Sequence, residues 1–360
     1  MTNLKAEDAI LSELASLYES RGYKRYKPGC FEDYSLYLEN IDFLISKNVI
    51  TFSGAEGRLL ALRPDVTLSV ISHIQCCGQT DKLFYAEKVY RRSGGGEFRD
   101  INQTGVEVVG NIDRACEAEV ACLVVDTLST VSGDYLLDLS HMGYTEGLMA
   151  AFNLPAEKKD RVYSYLRGKN VHDFAQFAIQ NGLSQKDIDI FARVVNIGGD
   201  AAEAVARAQD CAVNDEMARS AAELGELVAV LNKLGCGKAI NINFSIANNA
   251  DYYNGVIFNG YVGGVPRRVL SGGRYDKLLS KMGKNGGAIG FALYMDELER
   301  YFRPDGNFVD FLILYDDESQ LNALERSRAL LDEGKSVRIS REVPQLFRFG
   351  KTVDLRGGKR

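Results

Sequence analysis

Two runs of strand-forming residues, separated by a short glycine run, constrain the fold of this chain more than any other feature. Residues 83–92 and 99–109 are rich in aromatic and β-branched side chains, which are favoured in β-strands. Between them lie Gly94, Gly95 and Gly96, which suit a tight turn. The pattern predicts a β-hairpin, and a hairpin joins antiparallel strands. The glycine run is equally compatible with the remnant of a phosphate-binding loop.

The order of the predicted elements extends this hairpin into an α+β domain. A second hairpin is predicted over residues 51–62, around glycines that suit a turn. Helices are predicted over residues 4–21, 65–74 and 113–130. Hairpins that alternate with helices indicate an antiparallel sheet flanked by helices, rather than the βαβ repeats of a doubly wound fold.

The composition of the chain changes between residues 144 and 238, where alanine, leucine and charged residues dominate. This composition predicts a helical insertion, and the strand patterns that return afterwards place the insertion inside one core domain of residues 1–305. Those strand patterns lie at residues 239–247, 256–262 and 287–293. A helix is predicted directly after them, over residues 295–302.

Residues 306–360 predict a short β-α-β segment. An apolar run at residues 308–314 is typical of a buried strand, residues 319–333 have the pattern of a helix, and residues 336–339 that of a second strand. Little chain is left to complete a domain, and the last nine residues are basic and glycine-rich.

Composition excludes several classes of protein. A net charge of −6 and a pI near 5.4 give no basic footprint, so nucleic acid is not an expected partner. The 7 cysteines include no CxxC pair, which indicates free thiols in a reducing compartment and predicts a cytoplasmic location. No signal peptide is recognisable, and no apolar run approaches the ~20 residues that span a bilayer. His73, His141 and His172 are too widely separated to predict a metal site, and no cofactor is expected.

Glu107 is the most informative single residue, because it interrupts the apolar run VEVV. A carboxylate that points inward from such a strand is costly unless it is paired. We therefore predict that Glu107 has a ligand or a buried partner, in preference to an idle position on the surface.

Four motifs that occur in a fixed order resemble the catalytic core of histidyl-tRNA synthetases, a class II synthetase fold. Each would be weak evidence alone, but together they extend from about residue 5 to residue 300. The resemblance implies a class II aminoacyl-tRNA synthetase-like fold. The motifs are LRPDVT (residues 62–67), FRDINQTGVEVVG (98–110), ADYYNGVIF (250–258) and SGGRYDKLL (271–279) with GGAIGFAL (286–293).

The resemblance also implies a histidine pocket. Gln103 and Glu107 occupy the family's QxGxE pattern, and two tyrosines occupy its DYY pattern. Glu107 can accept the imidazole N–H, a tyrosine can meet the other ring nitrogen, and oxygen acceptors can bind the α-ammonium. If the DYY segment is extended, its tyrosines point to opposite faces and one of them belongs to the core. The residues predicted to bind histidine are Asp65, Thr67, Arg91, Gln103, Glu107, Tyr252 and Tyr253.

The departures from the family concern ATP. Where the family has an arginine before LDYY, this chain has Asn248, and where GLER supplies a phosphate-binding arginine, it has Glu297. Arg91 aligns with the phosphate-binding arginine of the second motif, but Ser93 replaces a glutamate. Adenylation needs cations on the triphosphate, whereas the amino-acid pocket needs none of those phosphate contacts. The sequence therefore predicts binding without catalysis.

A synthetase-like core with lost ATP arginines and a truncated end resembles the regulatory subunits of ATP phosphoribosyltransferase. The resemblance implies a histidine-sensing subunit that partners a short-form catalytic subunit in a hetero-oligomer and lacks aminoacylation activity. A homodimer is expected through residues 22–31, where Pro28 takes the place of the proline in the first class II motif. Two alternatives stay open: an active histidyl-tRNA synthetase-like ligase, and a module that recognises tRNA without charging it.

Overall fold

The two glycine-linked runs form an antiparallel hairpin in the computed structural model of the protein. The structure describes residues 7–44, 48–74, 79–92, 96–246, 252–298, 308–344 and 348–357. Strands β5 (Asp81–Arg92) and β6 (Phe98–Gly110) pair over their full common length. The chain divides into two compact units, a larger one that contains Asp8–Tyr301 and a smaller one that contains Phe302–Arg360.

The centre of the larger unit is an eight-stranded sheet with the order β1-β5-β6-β11-β10-β9-β7-β8. Pairing is antiparallel from β5 to β7, but β1 is parallel to β5 and β8 is parallel to β7. The predicted antiparallel sheet is therefore mixed at both edges. Its remaining strands are β1 (Lys24–Arg25), β7 (Tyr135–His141), β8 (Ile240–Ile242), β9 (Val256–Val262), β10 (Leu270–Arg274) and β11 (Gly287–Tyr294).

A small antiparallel sheet and a set of helices complete this unit. The small sheet has the order β2-β4-β3 and contains β2 (Phe31–Asp33), β3 (Thr51–Ser53) and β4 (Leu59–Leu62). The helices outside the insertion are α1 (Glu7–Ser20), α2 (Tyr34–Glu39), α3 (Val66–His73), α4 (Arg114–Val131), α11 (Asp276–Lys281) and α12 (Met295–Leu298).

Strand register assigns the side chains of the large sheet to two faces. Phe84, Val106 and Phe291 are paired across β5, β6 and β11, so they share one face. The ring of Tyr18 in α1 lies 5.7 Å from that of Phe84 and 6.3 Å from that of Phe291. The Tyr18 hydroxyl lies 2.9 Å from Thr127 Oγ1 of α4, so α1 and α4 cover this face. The alternate residues of β6 point to the opposite face.

The insertion is helical, as predicted, and lies in the chain between two neighbouring parallel strands. It begins directly after β7 and ends before β8. Side-chain caps fix several helix starts; for example, Ser184 and Asp187 form a reciprocal capping box. Its helices are α5 (Met142–Ala151), α6 (Ala156–Arg167), α7 (Val171–Gln180), α8 (Gln185–Val195), α9 (Ala201–Asp210) and α10 (Asp215–Lys233).

The smaller unit has one strand more than the sequence predicts. Strands β12 (Phe308–Leu314) and β13 (Val337–Ser340) flank α13 (Gln320–Asp332), as expected for a β-α-β unit. A third strand, β14 (Arg348–Asp354), pairs in parallel with the other edge of β12. The prediction missed β14 because most of its side chains are exposed, so its sequence lacks a buried periodicity.

Within the described ranges, no helix combines the length and the apolar character needed to cross a membrane. Those same residues contain no group of three or more His, Cys, Asp and Glu side chains that could hold a metal ion.

Candidate ligand site

A cavity of about 350 Å³ lies over β6, β10 and β11, on the face opposite α1 and α4. Its volume suits a small molecule, and its wall combines aromatic rings with a few polar groups, as small-molecule sites do. Six of the seven predicted site residues line it. These are Asp65, Thr67, Gln103, Glu107, Tyr252 and Tyr253.

Glycines make room for the buried carboxyl group of Glu107. Gly290 of β11 pairs with Glu107 of β6, and a β-carbon at Gly290 would lie within 3.0 Å of both Glu107 Oε2 and the Val106 carbonyl oxygen. At Gly105 a β-carbon would collide with the Phe291 carbonyl oxygen. Real β-carbons do not approach other atoms so closely, so both positions require glycine. The GGAIGFAL motif thus leaves space where the carboxyl group enters the cavity.

Glu107 is only 2% exposed, and two hydroxyl groups hold its carboxyl group. Thr67 Oγ1 donates to Glu107 Oε1 at 2.6 Å, and the Tyr275 hydroxyl donates to Glu107 Oε2. Burial raises the pKa of Glu107 to about 8, although both hydroxyl groups oppose the rise. The sequence prediction that this carboxylate has a buried partner is thus met by two hydroxyls. A ligand imidazole would be a third partner.

Three oxygen acceptors, from Asp65, Thr67 and Gln103, line the cavity where the resemblance expects an amino group. Asp65 caps α3 by accepting from the Leu68 backbone N–H at 3.0 Å. Burial raises the pKa of Asp65 as well, and the α3 backbone and Arg91 oppose the rise. Gln103 Oε1 is buried without a hydrogen-bond partner among the described residues. A buried carbonyl oxygen without a donor costs free energy, which a ligand ammonium group would recover.

Tyr252 and Tyr253 both line the cavity, and the assignment of one of them to the core does not apply, because it required an extended segment. Their rings meet edge to face at 4.6 Å, which is possible because the segment is a turn rather than a strand. Tyr252 also packs on Tyr275 at 5.5 Å. Burial raises the pKa of all three hydroxyls, so they stay neutral and can donate or accept hydrogen bonds.

Arg91 is the predicted site residue that does not line the cavity. Its Nε donates to the Pro64 carbonyl oxygen at 2.9 Å, and its Nη2 is buried without a partner among the described residues. It lies close enough to Asp65 to lower the pKa of that carboxyl group against the effect of burial. Direct contact between Arg91 and a ligand stays a prediction.

Two acids of α12, Asp296 and Glu297, lie in the third motif, where the resemblance implies a phosphate-binding arginine, and neither of them lines the cavity. Glu297 lies in α12, and its carboxylate is 3.5 Å from the guanidinium of Arg267. Burial, and then the neighbouring Glu297, raise the pKa of Asp296. At Glu297 a carboxyl group thus stands where the resemblance implies a cation. Asn248, the other substituted position, lies outside the described residues.

Stability should fall with rising pH because of Glu107. The folded protein holds the Glu107 proton up to about pH 8, whereas an unfolded chain releases it near 4.5. The free energy of unfolding should therefore decrease as pH rises through this window. We expect Glu107→Gln, which stays neutral, to reduce that decrease in urea unfolding experiments. Equal pH dependence in the wild-type protein and in Glu107→Gln would contradict the raised pKa of Glu107. The raised pKa of Asp65 contributes equally to both proteins, so it cannot cause a difference between them.

The mixed sheet, with its amino-acid-sized cavity, defines a class II aminoacyl-tRNA synthetase-like protein. The family profile described as histidyl-tRNA synthetase matches residues 2–298. The chain belongs to the histidyl-tRNA synthetase family.

Similar proteins include regulatory subunits as well as synthetases. An ATP phosphoribosyltransferase regulatory subunit of Clostridium kluyveri is 25% identical over 335 residues, which cover 89% of this chain and 85% of that protein. A crystal structure of an ATP phosphoribosyltransferase regulatory subunit/histidyl-tRNA synthetase from Bacillus halodurans has a TM-score of 0.77 at 22% identity, covering 98% of this chain and 89% of that one. A chain of the ATP phosphoribosyl transferase (HisG:HisZ) complex from Thermotoga maritima has a TM-score of 0.64 at 18% identity, covering 80% and 97%.

The structure adds cavity residues that the sequence reasoning did not single out. Tyr275 belongs to the SGGRYD motif, and its hydroxyl holds Glu107. The first four residues of the same motif lie in β10, in the interior of the sheet. Arg268 and Tyr294 also line the cavity. No sequence pattern pointed to Arg268, because its position depends on the register of β10 against β11.

Proposed function

We propose that this chain binds L-histidine and acts as a non-catalytic regulatory subunit of an ATP phosphoribosyltransferase. The observation that carries the proposal is the contrast between the cavity and the position, outside it, of the family's phosphate-binding cation. Acceptors for an imidazole and an ammonium group are present in the cavity, whereas the position of a phosphate-binding cation is taken by Glu297.

Histidine matches the cavity group by group. Glu107 can meet one ring nitrogen, and the neutral tyrosines around it can meet the other. Asp65 and Gln103 offer acceptors for the α-ammonium, and Gln103 Oε1 has no partner among the described residues. An apolar amino acid of similar size would leave the Glu107 carboxyl group without this additional partner. The cavity therefore favours histidine over an apolar amino acid.

ATP chemistry is not supported by the residue that takes the place of the phosphate-binding arginine. Preorganised cations stabilise the developing charge in phosphoryl chemistry, and an acid at the same place opposes it. Glu297 is that acid, and its carboxylate lies 3.5 Å from the guanidinium of the exposed Arg267. Together with Asn248 in the sequence, this favours a binding protein over an active ligase.

The partner follows from the relatives. The Clostridium kluyveri protein is named a regulatory subunit of ATP phosphoribosyltransferase, and the Thermotoga maritima structure is a complex of two kinds of chain. We infer that this chain binds a short-form catalytic subunit and relays the histidine signal to it. The cysteines within the described ranges are free thiols, which favours a cytoplasmic location.

Histidine binding can be tested directly by isothermal titration. We expect L-histidine to bind the isolated protein, and Glu107→Ala to weaken binding by ~1–3 kcal/mol, because it leaves an imidazole donor buried without an acceptor. Gly133→Ala is a suitable control, since a β-carbon at residue 133 meets nothing within 4 Å. Tight binding that Glu107→Ala leaves unchanged would remove the pocket assignment.

Self-association is proposed through the small sheet and the segment before it. Phe31 is 63% exposed and Phe52 is 36% exposed, and their rings contact at 5.5 Å on one face. An apolar face of this kind suits a self-complementary interface.

We expect a dimer in light scattering at micromolar concentration, and Phe31→Asp should shift it toward the monomer. Phe98→Asp is the matched control, because Phe98 is equally exposed at 68% but lies on β6 of the large sheet. A monomeric wild-type protein would contradict the proposal, as would equal effects of the two variants.

A further inference from the structure

We propose that Arg268 binds the α-carboxylate of the amino acid in the cavity, and thereby makes the site specific for free amino acids over analogues that lack the carboxylate. This inference rests on the proposed binding of histidine. It assigns to a residue of the β9–β10 connection a role that the sequence motifs do not predict.

Strand register places Arg268 at the end of the cavity that is remote from Glu107. Gln103 of β6 pairs with Tyr294 of β11, and the Tyr294 backbone N–H donates to the Val269 carbonyl oxygen at 2.8 Å. Arg268, which precedes Val269, therefore lies at the same end of the cavity as Gln103. Gln103 and Glu107 are four residues apart on one strand, about 13 Å at 3.3 Å per residue. A ligand whose imidazole faces Glu107 therefore directs its α-carbon toward Gln103 and Arg268.

The Arg268 guanidinium faces the cavity and lacks a carboxylate partner among the described residues. It is half-buried and lines the cavity, and its Nη1 donates to Asn259 Oδ1 at 3.2 Å. Asn259 is 3% exposed and neutral, so it positions the guanidinium without neutralising it. Burial raises the pKa of Tyr294, and the charge of Arg268 is the largest influence that opposes the rise, which places the two groups close together.

The other arginines near the site are less suited to this role. Arg274 of β10 is held by Glu117 at 2.8 Å and by Asp276 at 2.9 Å, so its charge is already balanced. Arg91 does not line the cavity and donates to the Pro64 carbonyl oxygen. Arg167, at the end of α6, does line the cavity, but its side chain is exposed. Of the described arginines that line the cavity, Arg268 is the one that burial and a hydrogen bond hold in place.

The test compares L-histidine with L-histidinol, in which an alcohol replaces the carboxylate. Isothermal titration would be done on the full-length wild-type protein, on Arg268→Met and on Arg267→Met. Arg267 is the matched control, because it adjoins Arg268 but its side chain is 76% exposed and does not line the cavity. We expect the wild-type protein to prefer histidine by roughly tenfold to hundredfold, as for a charge-assisted hydrogen bond.

In Arg268→Met the ratio of histidine affinity to histidinol affinity should fall close to one, while histidinol affinity stays nearly unchanged. Arg268→Lys should keep part of the preference for histidine. The unchanged histidinol affinity would show that the cavity is still folded. A full preference in Arg268→Met would overturn the inference and leave histidine binding intact; loss of the preference in Arg91→Met instead would assign the role to Arg91. A wild-type protein that binds neither compound would overturn this inference and the proposed function together.

Discussion

Histidine-dependent exchange of pyrophosphate into ATP is expected to stay at background for this protein. Removal of one preorganised donor to a developing charge typically costs ~10²–10³ in rate, and here one family arginine is replaced by Asn248 and another by Glu297. The second change reverses a charge, so triphosphate is repelled as well. The two reductions in rate need not multiply, but each of them is large.

The exchange assay should include a histidyl-tRNA synthetase as a positive control, with saturating histidine in both samples. A histidine titration of the same preparation shows that its cavity is competent to bind. Exchange clearly above background, with histidine bound, would make an active synthetase-like ligase the better interpretation of the site.

Replacement of Gly290 by alanine is expected to abolish measurable histidine binding while the protein stays folded. The added β-carbon would lie within 3.0 Å of Glu107 Oε2 and of the Val106 carbonyl oxygen. The contact with the Val106 carbonyl oxygen requires a local shift of β11 against β6, and the contact with Oε2 requires the Glu107 carboxyl group to leave its position between Thr67 and Tyr275. Overpacking of this kind costs ~1–3 kcal/mol of stability, which a domain of this size should tolerate.

Titration calorimetry would measure the binding of Gly290→Ala, and thermal unfolding would confirm that the variant folds. The same substitution at Gly133, where nothing lies within 4 Å, should leave both properties close to wild type. Unchanged histidine affinity in Gly290→Ala would show that the ligand does not use the Glu107 end of the cavity.

The hairpins and the helices between them were predictable because their patterns are local. Strands β5 and β6 carry dense β-branched and aromatic residues, and α3 begins at an aspartate that caps it. Strands β7, β10 and β14 were missed, and each depends on distant partners. In β10, Gly272 and Gly273 have low strand propensity, but close backbone approach from β9 and β11 requires glycine at both positions.

The site was predictable only where a single residue stands out in its local sequence. A carboxylate within VEVV is conspicuous in sequence, so Glu107 could be singled out before its partners were known. Tyr275 and Arg268 are ordinary residues in sequence and reach the cavity only through the register of β10 against β11. Side chains brought together by strand register leave no local signal.

The central claim is that histidine bound in this cavity changes the activity of a catalytic partner. The most direct measurement is the rate of phosphoribosyl-ATP synthesis by a short-form catalytic subunit, alone, with this chain, and with this chain plus histidine. Glu107→Ala, which removes the acceptor for the imidazole, provides the comparison. Histidine can shift the partner only by its differential affinity for two states of the complex, typically ~1–3 kcal/mol.

We predict that this chain changes the rate of the catalytic subunit, that histidine changes it again by roughly fivefold or more, and that the response to histidine is lost with Glu107→Ala. A rate indifferent to both this chain and histidine, or an equal histidine response with Glu107→Ala, would contradict the claim.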